Sequence, residues 1–494
     1  MNILGIDIGT GGTRAILIDE TGAVRATETA EHPPFSTPDV GWAEQDPDDW
    51  WNAAVIAIQK IISKFPADSI GAIGLTGQMH GSVLLDKADK PLRPALLWCD
   101  QRTEKQCNEI TETIGKERLI ELVSNPAITG FTLPKLLWIR EHEPAIWTRV
   151  ASILLPKDYV RLKLSGDKAI DVSDASGTLL FDVRNRKWSQ EMIEVFEIDP
   201  ELLPDVFESV EITGTVSRTA ATRTGLREGT PIVAGAGDNS AGAIGMGVTK
   251  PGTVSCTIGT SGVVFGVTEE PRFDARGRIH TMCHAIAGRW HNTGVTLAAG
   301  LSLKWFRQNF GGGNDYYELT RGAATISAGA DGAIWLPYLM GERSPHLDPN
   351  ARAAFVGLTA RHSSAHLTGA VLEGVAFSLR DSLEIFKENG ASVETIRLGG
   401  GGARSPLWCQ IQADVYGQDV LTLQASEGAA FGAALLAAVG VGLWKTVDQA
   451  CEKTVCVEEV FSPIPENVAV YDRQFEKYRR LYPLLRSIQN VEEH

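Results

Sequence analysis

Ile6-Asp7-Ile8-Gly9-Thr10-Gly11-Gly12-Thr13, near the start of the chain, and Cys256-Thr257-Ile258-Gly259-Thr260-Ser261-Gly262-Val263, just past its middle, are two versions of one phrase. In each, an apolar run enters Ile-Gly-Thr-x-Gly and leaves through a second apolar run, Ala15 to Ile18 or Val263 to Val267, that ends in acid at Asp19-Glu20 or Glu269-Glu270. The pattern predicts strand, tight turn, strand, once per half. Glycine lets the backbone approach a ligand and turn several N–H groups inward, and threonine adds a hydroxyl donor. One such turn is an ordinary hairpin. Two at matching places predict two similar domains whose loops face one cleft and hold a polyphosphate between them. Only the first copy carries a carboxylate, Asp7, where the second has Thr257. One acid beside phosphates suits a single Mg²⁺, a hard cation that takes oxygen ligands and keeps several waters.

Length and composition agree with that plan. The 494 residues exceed what one core supports and suit two domains of roughly 250 residues each. We place them at 1–245 and 246–494. Hydrophobic content of 43% with 50 glycines describes an α/β chain rich in turns. A net charge of -15 argues against nucleic acid as a partner, because phosphate backbones call for a basic face. No run approaches the roughly 18 apolar residues of a membrane span, and the N-terminus reads as a strand, not a secretory signal. Seven cysteines without a Cys-x-x-Cys form neither a disulfide framework nor a zinc site, and a cytoplasmic, reduced location is expected.

Strands are expected at Ile3 to Ile6, Ala15 to Ile18, Ile70 to Leu75, Ser82 to Asp86 and Pro231 to Ala234, with helices over Trp50 to Ile62 and Leu133 to His142. Such alternation means a sheet covered by helices. The second half repeats it: a hairpin, a helix at Ala298 to Gln308, a long helix from Ser363 or Ser364 to Asn389-Gly390, then a strand at Ile396 to Leu398 entering Gly399-Gly400-Gly401-Gly402. A helix follows from Ser405 or Pro406. The last helix carries Tyr471, Phe475, Tyr478 and Tyr482 at core-facing spacing.

Among candidate chemical groups, Asp238 stands out. It follows a strand in Gly235-Ala236-Gly237-Asp238-Asn239 and precedes a run of small residues, which reads either as a helix N-cap or as a carboxylate at a strand end near the domain junction. A carboxylate there could take the proton of a hydroxyl held in line with a γ-phosphate. The four glycines at 399–402 are expected to lead into a helix N-terminus, with bare backbone against which an adenine could lie. Thr76-Gly77-Gln78-Met79-His80-Gly81 offers an amide and an imidazole to a polyol; a lone histidine there is more often structural. Trp98-Cys99-Asp100-Gln101-Arg102 and Gly341-Glu342-Arg343-Ser344-Pro345-His346 are polar clusters that also fit internal ion pairs.

Taken together these residues resemble the FGGY family of carbohydrate kinases. Two stretches match its signatures throughout: Gly130-Phe131-Thr132-Leu133-Pro134-Lys135-Leu136-Leu137-Trp138-Ile139-Arg140-Glu141-His142, and Ala353-Ala354-Phe355-Val356-Gly357-Leu358 through His366-Leu367 to Leu372-Glu373. Gly77-Gln78-Met79-His80-Gly81, Leu155-Pro156-Lys157-Asp158-Tyr159, Asp171-Val172-Ser173-Asp174-Ala175-Ser176-Gly177 and Gly237-Asp238-Asn239 look like the blocks of members acting on D-xylulose. The resemblance implies an α/β fold of two actin-like (ribonuclease H-like) ATPase domains around a central cleft, the first binding sugar and the second nucleotide. It implies ATP with Mg²⁺, and D-xylulose phosphorylated to D-xylulose 5-phosphate. It also implies roles: Asp238 as base, Met79, His80 and Asn239 at the sugar, and Asp7 near Mg²⁺. Thr10, Gly11, Thr13, Arg14, Gly259 and Thr260 would hold phosphates, with Gly300, Gly400 and Gly401 toward the nucleoside.

Two positions depart from the family pattern. Ser405 stands where relatives often carry Asn, which puts the adenine contact there in doubt, and Arg14 replaces a common lysine, exchanging a point charge for a fork. Kinases for ribulose, fuculose or gluconate remain alternatives, as does a non-catalytic nucleotide-gated binding protein of the same fold. A homodimer is expected by analogy only.

Overall fold

The computed structural model describes residues 1–424 and 428–489. Two seven-stranded sheets organise them. The first contains β1 (Asn2–Ile8), β2 (Gly12–Ile18), β3 (Val24–Glu31), β4 (Ile70–Gly77), β5 (Ile212–Thr215), β6 (Pro231–Val233) and β7 (Ala236–Gly237), in the order β5-β6-β4-β1-β2-β3 with β7 also paired to β4. Helices α1 (Pro47–Ile62), α2 (Thr132–His142), α3 (Pro156–Ser165) and α4 (Asp238–Gly245) belong to this half. The second sheet contains β8 (Gly252–Ile258), β9 (Gly262–Thr268), β10 (His280–Cys283), β11 (Trp290–Thr296), β12 (Val393–Gly400), β13 (Val420–Leu423) and β14 (Val457–Phe461), in the order β10-β11-β9-β8-β12-β13-β14. With it come α5 (Gly300–Phe310), α6 (Ser364–Glu388), α7 (Pro406–Tyr416), α8 (Gly428–Gly440) and α9 (Pro465–Gln489).

The repeat read from the two Gly-Thr turns is a repeat of topology. β1 pairs antiparallel with β2 and parallel with β4; β8 pairs antiparallel with β9 and parallel with β12. Asp7 lies opposite Arg14 and Thr76, and Thr257 lies at the matching register position, opposite Val263 and Gly399. These are the two α/β domains of the actin-like plan.

Period-two alternation divides the faces of the first sheet. Leu4, Ile6, Ile8, Ile73 and Leu75 pack with Trp50, Ala54, Ile58 and Ile61 of α1, each large apolar side chain contributing about 1.5–3 kcal/mol on burial. Ile3, Ala72, Val233 and Ala236 face the other way and pack with α8, a helix from the far end of the chain. Glycines bring that helix close. A Cβ on Gly5 would lie 2.0 Å from the carbonyl oxygen of Ala430, and one on Gly432 would lie 1.8 Å from that of Ala241 in α4. The strands therefore divide between the halves, whereas α8 is built into the other half's core. Its run Gly428-Ala429-Ala430-Phe431-Gly432-Ala433-Ala434 has no amphipathic stripe because both its faces are covered.

In the second half α6 ends at Glu388 before Asn389-Gly390, and Tyr471, Phe475, Tyr478 and Tyr482 of α9 are all buried in the core with it, as expected. α5 begins at Gly300, two residues later than its pattern suggested. The Ala299 and Gly300 N–H groups are still tied to the turn through the carbonyls of Thr260 and Gly259. The glycine run also differs from expectation. β12 extends through Gly400, a 3₁₀ turn covers Gly401–Arg404, and α7 starts at Pro406 with Ser405 as its cap, accepting the Trp408 N–H at 3.3 Å. Gly400 has φ 73 and ψ -165, a backbone open only to glycine, and a Cβ on Gly402 would strike Ile258 at 2.7 Å. Packing on β8 accounts for these glycines, while Gly401 is exposed and unhindered.

Candidate active site

The parallel strands β1, β4 and β7 end side by side, with Asp7 in register with Thr76 and Thr76 with Ala236. Asp238 follows two residues later as the first residue of α4; Gly237 is the cap, so the N-cap reading of Asp238 does not hold. The carboxylates are close enough to repel. Burial pushes Asp7 up to about 6, with the Arg14 guanidinium across the β1–β2 pair pulling down. Burial, and then the charge of Asp7, push Asp238 up to about 7, with the Asn239 N–H pulling down. Both side chains are half-buried rather than enclosed. Two acids at strand ends, each held close to neutrality, are poised to exchange a proton or to share a cation.

The turn preceding Asp238 is fixed from below. The Gly237 N–H donates to Ser173 Oγ at 3.1 Å, and the Ser173 hydroxyl donates to Asp171 at 2.5 Å. Asp171 belongs to a fully buried cluster in which Lys157 Nζ lies 2.6 Å from Asp158, 2.9 Å from Asp171 and 3.2 Å from Asp174. Arg161 lies 3.6 Å from Asp158 and donates at 2.7 Å to the carbonyl of Val233, just before the Asp238 turn. Three acids face two cations. Burial, and then the crowding of the other carboxylates, hold Asp174 well above the usual carboxylate range, so a proton there balances the charge. This cluster is what the Leu155–Tyr159 and Asp171–Gly177 blocks build.

Met79 and His80 follow β4. The Met79 sulfur accepts from Asn239 Nδ2 at 3.7 Å, which puts these two residues together beside Asp238. His80 has φ 68, a left-handed backbone for which its carbonyl needs outside support. Lys135 Nζ donates to it at 3.0 Å and Thr132 Oγ1 at 3.2 Å, and Phe131 lies 4.8 Å from the imidazole. The first signature stretch is thus the cradle of His80. Its Nδ1 lies 3.0 Å from the Gly177 carbonyl and must donate there, leaving Nε2 as an acceptor. Burial, and then the Lys135 charge, hold the ring well below the ordinary histidine value, so it is neutral. Burial likewise lowers Lys135 to about 7.

The two turns sit as their register requires. Thr10 Oγ1 donates to Gln78 Oε1 at 3.1 Å and accepts from Trp98 Nε1 at 3.1 Å; Gly11 is exposed. In the second half Gly259, Thr260, Gly300, Gly400 and Gly401 gather at one edge: the Gly300 N–H donates to Gly259, the Leu301 N–H to Thr260, and Gly400 pairs with Ile258. Thr13 departs from its expected role. It is fully buried with its hydroxyl 2.9 Å from His32 Nε2, so it braces β2 and offers no donor to a phosphate. Asp100 and Arg102 form the internal ion pair, at 2.7 Å, stacked beneath Trp42. Lys135, Thr132 and Ser173 carry site geometry that sequence reasoning gave no role, and Gln78, read as an amide offered to a polyol, instead accepts from Thr10. Their signal was membership of matched blocks, not recognisable chemistry.

Among the described residues, no cluster of three or more His, Cys, Asp or Glu side chains could hold a metal alone, and no helix is long and apolar enough to cross a membrane. Residues 2–245 match the N-terminal domain, and residues 254–441 the C-terminal domain, of the FGGY family of carbohydrate kinases. The chain is 39% identical to the xylulose kinase of Bacillus subtilis (strain 168), over 97% of this chain and 96% of that one. It is 40% identical to that of Lactococcus lactis subsp. lactis (strain IL1403), with the same coverage. The crystal structure of xylulose kinase from Rhodospirillum rubrum superposes with a TM-score of 0.94 at 30% identity, covering 99% of this chain and 100% of that one.

Proposed function

We propose that this chain, which belongs to the FGGY family of carbohydrate kinases, transfers the γ-phosphoryl group of ATP to the terminal hydroxyl of D-xylulose, giving D-xylulose 5-phosphate. The observation that carries the mechanism is the Asp7–Asp238 pair at the strand ends. Asp238, held at about 7 by burial and by Asp7, takes the proton from the 5-hydroxyl as that oxygen bonds to phosphorus, and a base near neutral pH both accepts and releases it readily. Met79, His80 and Asn239 orient the sugar, with the His80 Nε2 lone pair accepting from a hydroxyl. Exposed Gly11 and Thr260 offer backbone N–H groups to the phosphates, and Gly259, whose own N–H donates to the Ser261 carbonyl, lets them come close. Thr10 and Arg14 lie beside them, and the bare Gly300, Gly400 and Gly401 edge suits the nucleoside.

The residues fit Mg²⁺. Asp7 and Asp238 repel one another when ionised, and a hard divalent cation held by a carboxylate here would relieve that repulsion; among the described residues no cluster of three or more such side chains would hold it alone, which suits an ion that keeps waters. Asp7 would hold it, and it would offset the negative charge on the transferring group. The first half is assigned the sugar and the second the nucleotide. All seven cysteines are unpaired, which supports a reducing, cytoplasmic location.

ADP release, followed with D-xylulose, L-xylulose, D-ribulose, L-fuculose, glycerol and gluconate, tests the reading in wild type and Asp238→Asn. Turnover fastest with D-xylulose and reduced about 10²- to 10⁴-fold in the variant is expected. Preference for another sugar would move the substrate, and sugar-independent ADP formation would refute transfer.

A further inference from the structure

Arg343 lies in the Gly341–His346 segment that read as an internal ion pair, and it is not one. The neighbouring Glu342 carboxylate is taken up elsewhere, accepting from Thr296 Oγ1 at 2.5 Å, from the Leu297 N–H at 3.0 Å and from the Arg343 backbone N–H at 2.7 Å. Among the described residues the Arg343 guanidinium has no hydrogen bond and no ion pair, although it is only partly exposed. Its backbone is anchored: the next residue, Ser344, accepts on Oγ from the Val295 N–H at 3.1 Å and donates to the Arg278 carbonyl at 2.8 Å. A fixed arginine whose fork is unfilled calls for an oxygen-rich partner.

His280, on β10, is a second unfilled group in the same place. It is 5% exposed, its imidazole makes no hydrogen bond among the described residues, and its Nδ1 is buried without a partner. Burial, and then the Arg343 charge, hold it down at about 3, so it is a neutral imidazole. Buried polar atoms in native proteins are nearly always paired, so this orphan needs a reason. Phe131 joins the two halves here, with its ring 4.8 Å from His80 and 5.3 Å from His280. The Arg343 charge acts on both imidazoles. β10 is fixed against the first half, since Asn125 Nδ2 donates to the Thr281 carbonyl at 2.7 Å and Cys283 N–H donates to Ser176 Oγ at 3.0 Å. The sequence of groups leads away from the reacting acid: Asp238, Asn239 with Met79, His80, Phe131, then His280 and Arg343.

We propose that Arg343 and His280, both from the second half, form the wall that reads the ketone end of the sugar, Arg343 donating its two-pronged fork to the C1 hydroxyl and C2 carbonyl oxygens. This rests on the ketopentose reading above. A linear ketopentose whose 5-hydroxyl meets Asp238 carries its ketone past His80, and a guanidinium fork matches two adjacent oxygens as no single imidazole does. Sugar choice is then set by both halves, with His80 and Asn239 along the chain and Arg343 at its far end.

The test is calorimetric binding of D-xylulose and of 1-deoxy-D-xylulose, which lacks the C1 hydroxyl, to wild type, Arg343→Gln and Arg343→Lys, with ATP affinity and melting measured beside them. Expected are a roughly 100-fold loss for D-xylulose in Arg343→Gln, a loss of only about 10-fold for the deoxy sugar, an intermediate loss in Arg343→Lys, and unchanged ATP affinity. Equal losses for the two sugars, no loss, or loss of ATP affinity overturns the assignment. A wild type that binds another sugar but not D-xylulose refutes the substrate reading itself, and this inference with it.

Discussion

Replacing Asp238 by Asn is expected to stabilise the protein in alkaline solution while slowing its chemistry about 10²- to 10⁴-fold. The folded state raises the Asp238 pKa from 3.8 to about 7, chiefly by burial and then by the Asp7 charge. For an acid whose folded value lies above its unfolded value, stability is fully present below about 3.8 and is lost as pH rises through about 7. Roughly three pKa units at about 1.4 kcal/mol each set a ceiling near 4 kcal/mol on that loss. The side chain is half-buried, so water relieves part of it, and about 1–2 kcal/mol is expected. Asn is neutral at every pH and carries none of this penalty. Urea or thermal melts of wild type and Asp238→Asn, run at pH 5 and pH 8 without nucleotide, measure the difference directly. The variant should melt slightly above wild type at pH 5, where roughly a third of the penalty has accrued, and further above it at pH 8, where all of it has. A variant less stable at both values, or a gain independent of pH, would refute the idea that Asp238 is an ionisable group held against its solvation preference.

Lys135→Met removes the ammonium that supports the His80 carbonyl, and about a tenfold rise in KM for the sugar with a smaller change in kcat is expected from steady-state kinetics. Thr13→Val should lower stability by about 1–3 kcal/mol by unpairing His32 while leaving KM for ATP unchanged; a large rise in that KM would restore Thr13 to the phosphate site. Gly432→Ala puts a Cβ 1.8 Å from the Ala241 carbonyl and should lower both melting temperature and activity, although it touches no substrate, because α4 carries Asp238 at its start.

The sheets were legible because each Gly-Thr turn is flanked by apolar strands and occurs once per half, and Asp238 was legible because it follows a strand in a glycine-rich turn. What resisted reading was long-range. Nothing near Lys135 in sequence announces that its ammonium supports His80, and Lys157 gathers its acids from two separate blocks. Thr13 looked like its neighbour Thr10, yet alternation along β2 buries its hydroxyl on His32. The glycines at 399–402 looked like ligand-facing backbone, while packing on Ile258 explains Gly400 and Gly402. α8 escaped because a helix covered on both faces shows no amphipathic period.

The seating of α8 on the first sheet has a consequence for synthesis. A ribosome that has just released residue 245 has made every strand of the first sheet, but the face formed by Ile3, Ala72, Val233 and Ala236 still lacks its cover. That cover arrives some two hundred residues later, on the order of 10–40 s at bacterial and eukaryotic elongation rates. Until then the nascent first half displays an apolar face to chaperones and to other chains, and a gene cut between the halves would yield a fragment with that face permanently bare. The molecule is duplicated in pattern but completed only at its far end.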